Sequence, residues 1–174
     1  AILRWHFHNG HLDENSLRST PLHTGAGPRH LEFGTGDTVF CLNELDATLD
    51  VLKEEAGDLV HRQTVPLLSG KNKCAAADLH ITPDRTLLYA SERTSNTLHA
   101  FRVQQGTVSR LTATRCEATP RGFAIDPDGR FLLCAGQTDN AIGIYAIDSA
   151  TGGLMRRARH ATGPNPNWIE IIDL

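Results

Sequence analysis

With 174 residues, 40% apolar and 21% charged, the chain has the composition of one globular domain, which excludes a disordered or fibrous protein. Its 17 Lys and Arg against 20 Asp and Glu leave a net charge of −3, so no basic field gathers nucleic acid or anionic lipid. The longest uncharged apolar run, Ala141 to Ile147, is far short of the roughly 20 residues of a membrane-spanning helix, and the expected partner is a small molecule or another protein.

The first residues, Ala1 to Phe7, lack the basic start and long apolar segment of a signal peptide and read as a strand already in progress. Residues 1–23 are expected to supply the outer two strands of a repeating unit. Within them His6, His8 and His11 include an H-x-H spacing that puts two imidazoles on one strand face. On outer strands this fits a solvated surface better than a metal site, and no metal is expected. Gly25-Ala-Gly27-Pro28 resembles part of a phosphate loop, but no helix follows it, and it reads as a turn leading into the next unit.

From there a pattern of apolar alternation recurs. Pro28-Arg-His-Leu-Glu-Phe33, Ala76-Ala-Asp-Leu-His-Ile81, Pro120-Arg-Gly-Phe-Ala-Ile125 and Pro166-Asn-Trp-Ile-Glu-Ile171 end 48, 44 and 46 residues apart. A second set, Leu17, Leu59, Val108 and Leu154, opens short strands at steps of 42, 49 and 46. Each unit holds four short strands. In the third these are predicted over Arg121 to Ile125, Arg130 to Ala135, Ala141 to Ile147 and Leu154 to His160, separated by Pro127-Asp-Gly129, Thr138-Asp-Asn140 and Ser149-Ala-Thr-Gly-Gly153. Four antiparallel strands at this period describe a β-propeller blade. The expected fold is all-β, about three and a half blades: outer strands at 1–23, blades at 25–66, 75–113 and 118–161, and one inner strand at 165–174. Neither tryptophan is followed by aspartate, so the WD40 variety is not supported. Such a chain reads as part of a longer ring, whose remaining blades would come from the same polypeptide.

The four cysteines, Cys41, Cys74, Cys116 and Cys134, never fall at C-x-x-C spacing and read as free thiols. With no Asn-x-Ser/Thr sequon present, they point to the cytoplasm.

Innermost strands line a propeller's channel, so residues in phase converge at one mouth. Arg29, Ala77, Arg121 and Asn167 share one phase, and His30, Asp78, Gly122 and Trp168 the next. Asn43-Glu44, Ser91-Glu92-Arg93 and Ala135-Gly136-Gln137 occupy equivalent links between strands. Polar residues accumulate in phase where a blade wants packing, which marks a site. Arg29 and Arg121 suit bidentate capture of a phosphate or carboxylate, and equally a salt bridge between blades. Glu44 fits a general base acting on water, or an ion-pair partner of Arg29. His30 and His80 fit proton transfer, although His80 reads more naturally as a hydrogen-bonded strand histidine. Asp78, Arg93 and Gln137 complete the candidate binding set.

Gly25 to His30, Cys41-Leu-Asn-Glu-Leu45, Ala76 to Asp84, Pro120-Arg-Gly-Phe123 and Ala135-Gly-Gln137 together resemble the C-terminal half of the bacterial propeller-type 6-phosphogluconolactonases. The same superfamily includes the fungal carboxymuconate lactonizing enzyme. The resemblance implies a seven-bladed ring and metal-free hydrolysis of 6-phospho-D-glucono-1,5-lactone, without a cofactor. It maps the family's channel arginines onto Arg29 and Arg121 and its acid onto Glu44, which would activate water while an arginine stabilises the oxyanion. A further family histidine, from an earlier blade, has no counterpart here. A lactonizing isomerase or cyclase acting on a carboxylated substrate, and a non-catalytic binding propeller, are the alternatives.

Overall fold

The computed structural model describes residues 1–69 and 73–172, and within them the regular structure is entirely β. A hairpin of β1 (Ile2–His8) and β2 (His11–Thr20) precedes three four-stranded antiparallel sheets, each laid out in chain order. Blade 1 holds β3 (Pro28–Phe33), β4 (Thr38–Asn43), β5 (Thr48–Glu55) and β6 (Asp58–Pro66). Blade 2 holds β7 (Ala76–Ile81), β8 (Leu87–Glu92), β9 (Thr97–Gln104) and β10 (Thr107–Arg115). Blade 3 holds β11 (Pro120–Ile125), β12 (Phe131–Gly136), β13 (Ala141–Ile147) and β14 (Leu154–Ala161).

Local turn chemistry sets this layout. The outer two strands are joined in the hairpin and in blades 1 and 2 by two-residue turns, Asn9-Gly10, Ala56-Gly57 and Gln105-Gly106, with both residues at positive φ. That backbone matches the right-handed twist of the flanking strands, and glycine takes the second position without strain. Blade 3 uses the longer Asp148–Gly153 loop instead, with Gly152 at φ 72.

The sheets stack face to face. Phe40, Leu42, Leu49 and Val51 of blade 1 pack with Leu79, Leu88, Phe101 and Val108 of blade 2. The other face of blade 2, with Leu87, Tyr89, Leu98 and Ala100, packs with Phe123, Leu132, Cys134 and Tyr145 of blade 3. Because blade 2 is covered on both faces, every residue of β8 is buried and the strand does not alternate with solvent. Ile2 of the hairpin joins Val39, Cys41, Leu52 and Leu59 on the free face of blade 1.

One expected element is corrected. Residues 162–172 carry no strand, although Pro166–Ile171 alternates like the inner strands; residues 173 and 174 lie outside the described residues. Alternation selects a face, but a strand exists only through ladder hydrogen bonds, and this segment has no pairing partner among the described residues. It still lies along β11: a Cβ on Gly122 would come within 2.5 Å of the Asn167 carbonyl oxygen.

Candidate active site

The innermost strands β3, β7 and β11 run side by side, with β7 in the middle. Each carries a register irregularity at its start. Pro28 pairs with Asn43 and His30 with Leu42, leaving Arg29 as the extra residue, and Arg121 is likewise extra between Pro120 and Gly122. On β7 the shift falls between Ala76 and Leu79, at Ala77 and Asp78. Such bulges turn a side chain out of the alternation, so the in-phase polar residues are freed from packing and aimed together.

The links answer in phase too. The backbone N–H groups of Glu44, Arg93 and Gln137 donate to the carbonyls of Gly27, Ala75 and Thr119, each just ahead of an inner strand. These hydrogen bonds hold the link residues beside the bulges. At this end Glu44 faces two guanidiniums: Arg29 Nε lies 3.4 Å from Oε2, and Arg93 Nη2 donates to Oε1. Arg29 also donates to the Ala77 carbonyl, and Arg93 Nε to the Ala75 carbonyl at 3.2 Å. Burial lowers the pKa of Arg29; Glu44 opposes that, while the neighbouring charges of Arg121 and Arg93 add to it. Arg121 has no side-chain hydrogen bond or ion pair among the described residues. Two cations therefore grip one carboxylate, with the charge of Arg121 felt at Arg29, and the ion-pair arrangement of Glu44 is the one realised.

Deeper along the strands, Asp78 ties all three together. Its carboxylate accepts from the backbone N–H of Leu79 and from that of Phe123 on β11, both at 3.0 Å, and from His80 Nε2 at 3.3 Å. His30 Nδ1 on β3 lies 3.1 Å from the other oxygen. Burial would raise the Asp78 carboxyl, but His30, His80 and the Phe123 N–H outweigh it and hold it well below the usual carboxylate range. His80 is gripped on both sides, with Nδ1 3.3 Å from Glu32 and its ring edge-on to Phe123 at 4.9 Å. Burial opposes its charge, yet the two carboxylates raise its pKa to about 9. It is a hydrogen-bonded strand cation.

Of the other candidates, Gln137 stands in phase with Glu44 and Arg93 but makes no side-chain hydrogen bond among the described residues. His6, His8 and His11 are exposed on the hairpin, where cross-strand pairing puts His8 opposite His11 and His6 opposite Asp13; no metal-holding group occurs among the described residues. Sequence reasoning passed over the buried polar residues Asp50, His99 and Glu117. The first two occupy equivalent places at the heart of their blades, Asp50 opposite Cys41 and His99 opposite Ala90, so the repeat that exposed the arginines also held this signal. Glu117 lies in a link and has no such phase.

Comparison with known proteins places this architecture. Residues 1–171 match the family described as lactonase, 7-bladed beta-propeller. The chain is 38% identical over 170 residues to a 6-phosphogluconolactonase of Serratia proteamaculans, covering 94% of the chain and 51% of the relative. It is 42% identical over 157 residues to that of Pectobacterium carotovorum, covering 86% and 47%. Among solved structures, a Bacteroides fragilis protein superposes with a TM-score of 0.84 at 29% identity over 93% of this chain and 46% of the other. The periplasmic gluconolactonase of Pseudomonas aeruginosa does so at 0.79 and 28% identity over 88% and 45%. The chain thus spans about half the length of the curated relatives it matches. Stacked four-stranded blades, a bulged inner strand in each, and a family match along nearly the whole length lead to one conclusion: the chain belongs to the seven-bladed β-propeller lactonase family.

Proposed function

We propose that the protein hydrolyses 6-phospho-D-glucono-1,5-lactone to 6-phosphogluconate, the oxidative pentose phosphate step, with the cluster of Arg29, Arg93, Arg121 and Glu44 as its substrate site. The observation that carries this is the charge count at that end of the inner strands: three guanidiniums against one carboxylate. A phosphate monoester carries about −1.5 to −2 at neutral pH and offers three acceptor oxygens, which suits an excess of guanidinium. Relatives at 38% and 42% identity that bear the 6-phosphogluconolactonase name supply the substrate class.

In this reading the arginines divide the work. Glu44 keeps Arg29 and Arg93 in place before substrate arrives. The phosphate draws on part of the cluster, and the remaining guanidinium stabilises the oxyanion that forms on the lactone carbonyl. Such donors work by being fixed in advance, not by reorganising during the reaction. The four free cysteines fit a reducing compartment, and we place the protein in the cytoplasm.

The test is lactone hydrolysis by the full-length product of the open reading frame, with spontaneous opening subtracted. Arg29→Met and Arg121→Met should each lower kcat/KM by about 100-fold, the scale of losing one oxyanion or anion donor. Wild-type rates in both variants would remove the cluster from the chemistry. A preference for carboxylated over phosphorylated lactones would move the reading to the lactonizing branch.

A further inference from the structure

The inner strands present two histidines to one aspartate, and the two differ in what is left over. His80 has both ring nitrogens engaged, one by Asp78 and one by Glu32, and stays charged across neutral pH. His30 has only Nδ1 engaged, at 3.1 Å from Asp78, and its Nε2 has no partner among the described residues. The His30 side chain is 27% exposed, whereas that of Asp78 is 2% exposed. His30 follows directly on the bulge residue Arg29, so it stands beside the arginine cluster. Glu44 meanwhile has each carboxylate oxygen directed at a different guanidinium. A carboxylate so occupied is a counter-ion, while an imidazole with one nitrogen anchored and one bare has the form of a general base.

We propose that His30 is the general base of the lactone hydrolysis and that Asp78 is its positioning residue; this rests on the functional reading above. Asp78 holds the proton of the neutral ring on Nδ1 and leaves Nε2 free to accept. Nε2 takes a proton from water as the water oxygen bonds to the lactone carbonyl carbon. The tetrahedral intermediate then collapses: the bond from that carbon to the ring oxygen breaks, and the proton on Nε2 passes to the departing oxygen. The base is regenerated, and the new carboxylic acid releases its proton to solvent. Asp78 suits its role because the Leu79 and Phe123 N–H groups fix it and His80 supplies a permanent cation beside it, so it stays an anion throughout.

The experiment uses the full-length protein. His30→Gln should lower kcat by about 100-fold or more with KM little changed, and should abolish the limb of the pH profile on which activity rises as the base deprotonates. Asp78→Asn should shift that limb in a protein whose folding is verified by circular dichroism. The charged groups around His30 are Arg29 and Glu32 on β3, Asp78 and His80 on β7, Arg121 on β11, and Glu44 and Arg93 in the links. All stay intact in His30→Gln, so loss of the limb reports His30 itself. A kcat within threefold of wild type and an unchanged profile, while the arginine variants are impaired, would overturn the dyad and leave the functional reading standing. A wild type that opens the lactone no faster than buffer would overturn the functional reading instead. Histidine 15N spectra then decide the dyad: a proton on Nδ1 of neutral His30 is expected, and the Nε2–H tautomer would defeat it.

Discussion

Blades 1 and 3 pair their middle strands in the same register, with Cys41 opposite Asp50 in one and Cys134 opposite Gly143 in the other. In blade 1 the acid is on the blade. Asp50, fully buried, accepts from Asn43 at 2.8 Å, Thr64 at 2.5 Å and His61 at 3.2 Å, while His23 from the incoming link lies 3.9 Å away. In blade 3 the acid is on the link. Glu117 reaches into the gap left by Gly136 and Gly143, accepts from the Tyr145 hydroxyl at 2.6 Å, and has Arg156 at 3.7 Å. Blade 2 puts His99 at the same place, opposite Ala90. The repeat therefore specifies a buried polar plug between link and blade, but neither its identity nor the side it comes from.

The sharpest way to break this comparison is to give blade 3 the residue of blade 1. In Gly143→Asp the new Cβ overlaps the Glu117 carboxylate and a second buried acid is added, so a loss of about 4 kcal/mol or more is expected in urea denaturation. Adding Glu117→Ala should return at least about 1 kcal/mol beyond additivity, because the two groups compete for one volume. Strictly additive losses would mean the exchange between link and blade does not exist. Asp50→Ala comes next, at about 3 kcal/mol, since it strands the buried Asn43 amide and removes the acceptor that Thr64 and His61 share.

The smallest effect sharpens the picture in blade 2 through pH. Burial, with Arg110 adding to it, pushes His99 down to about 4. Its folded pKa is below the unfolded value near 6.5, so its contribution is intact above pH 6.5 and is lost as pH falls toward 4. A urea series over that window should show wild type weakening more than His99→Leu; parallel curves would mean His99 is not held neutral.

Much of this architecture was legible because turn residues and apolar alternation recur together, and the phase of the repeat is itself geometry. That phase aligned Arg29 with Arg121 and Glu44 with Arg93 and Gln137 before any contact was known. Three things were not legible, each for a physical reason. The bulges are a matter of register, which depends on two strands at once. The segment 165–172 has a strand's pattern without a pairing partner among the described residues. The burial of Glu117 follows from side chains that Gly136 and Gly143 lack, 19 and 26 positions away, and absence leaves no periodic trace.

The bulges have an evolutionary consequence. A residue inserted into a ladder takes on no pairing duty, so its side chain can be exchanged without breaking the ladder. Arg29, Ala77 and Arg121 already show two occupants of one such place. One extra residue per blade thus separates what projects at this end of the inner strands from what pairs the sheet, and lets one scaffold present different side chains there by a few exchanges.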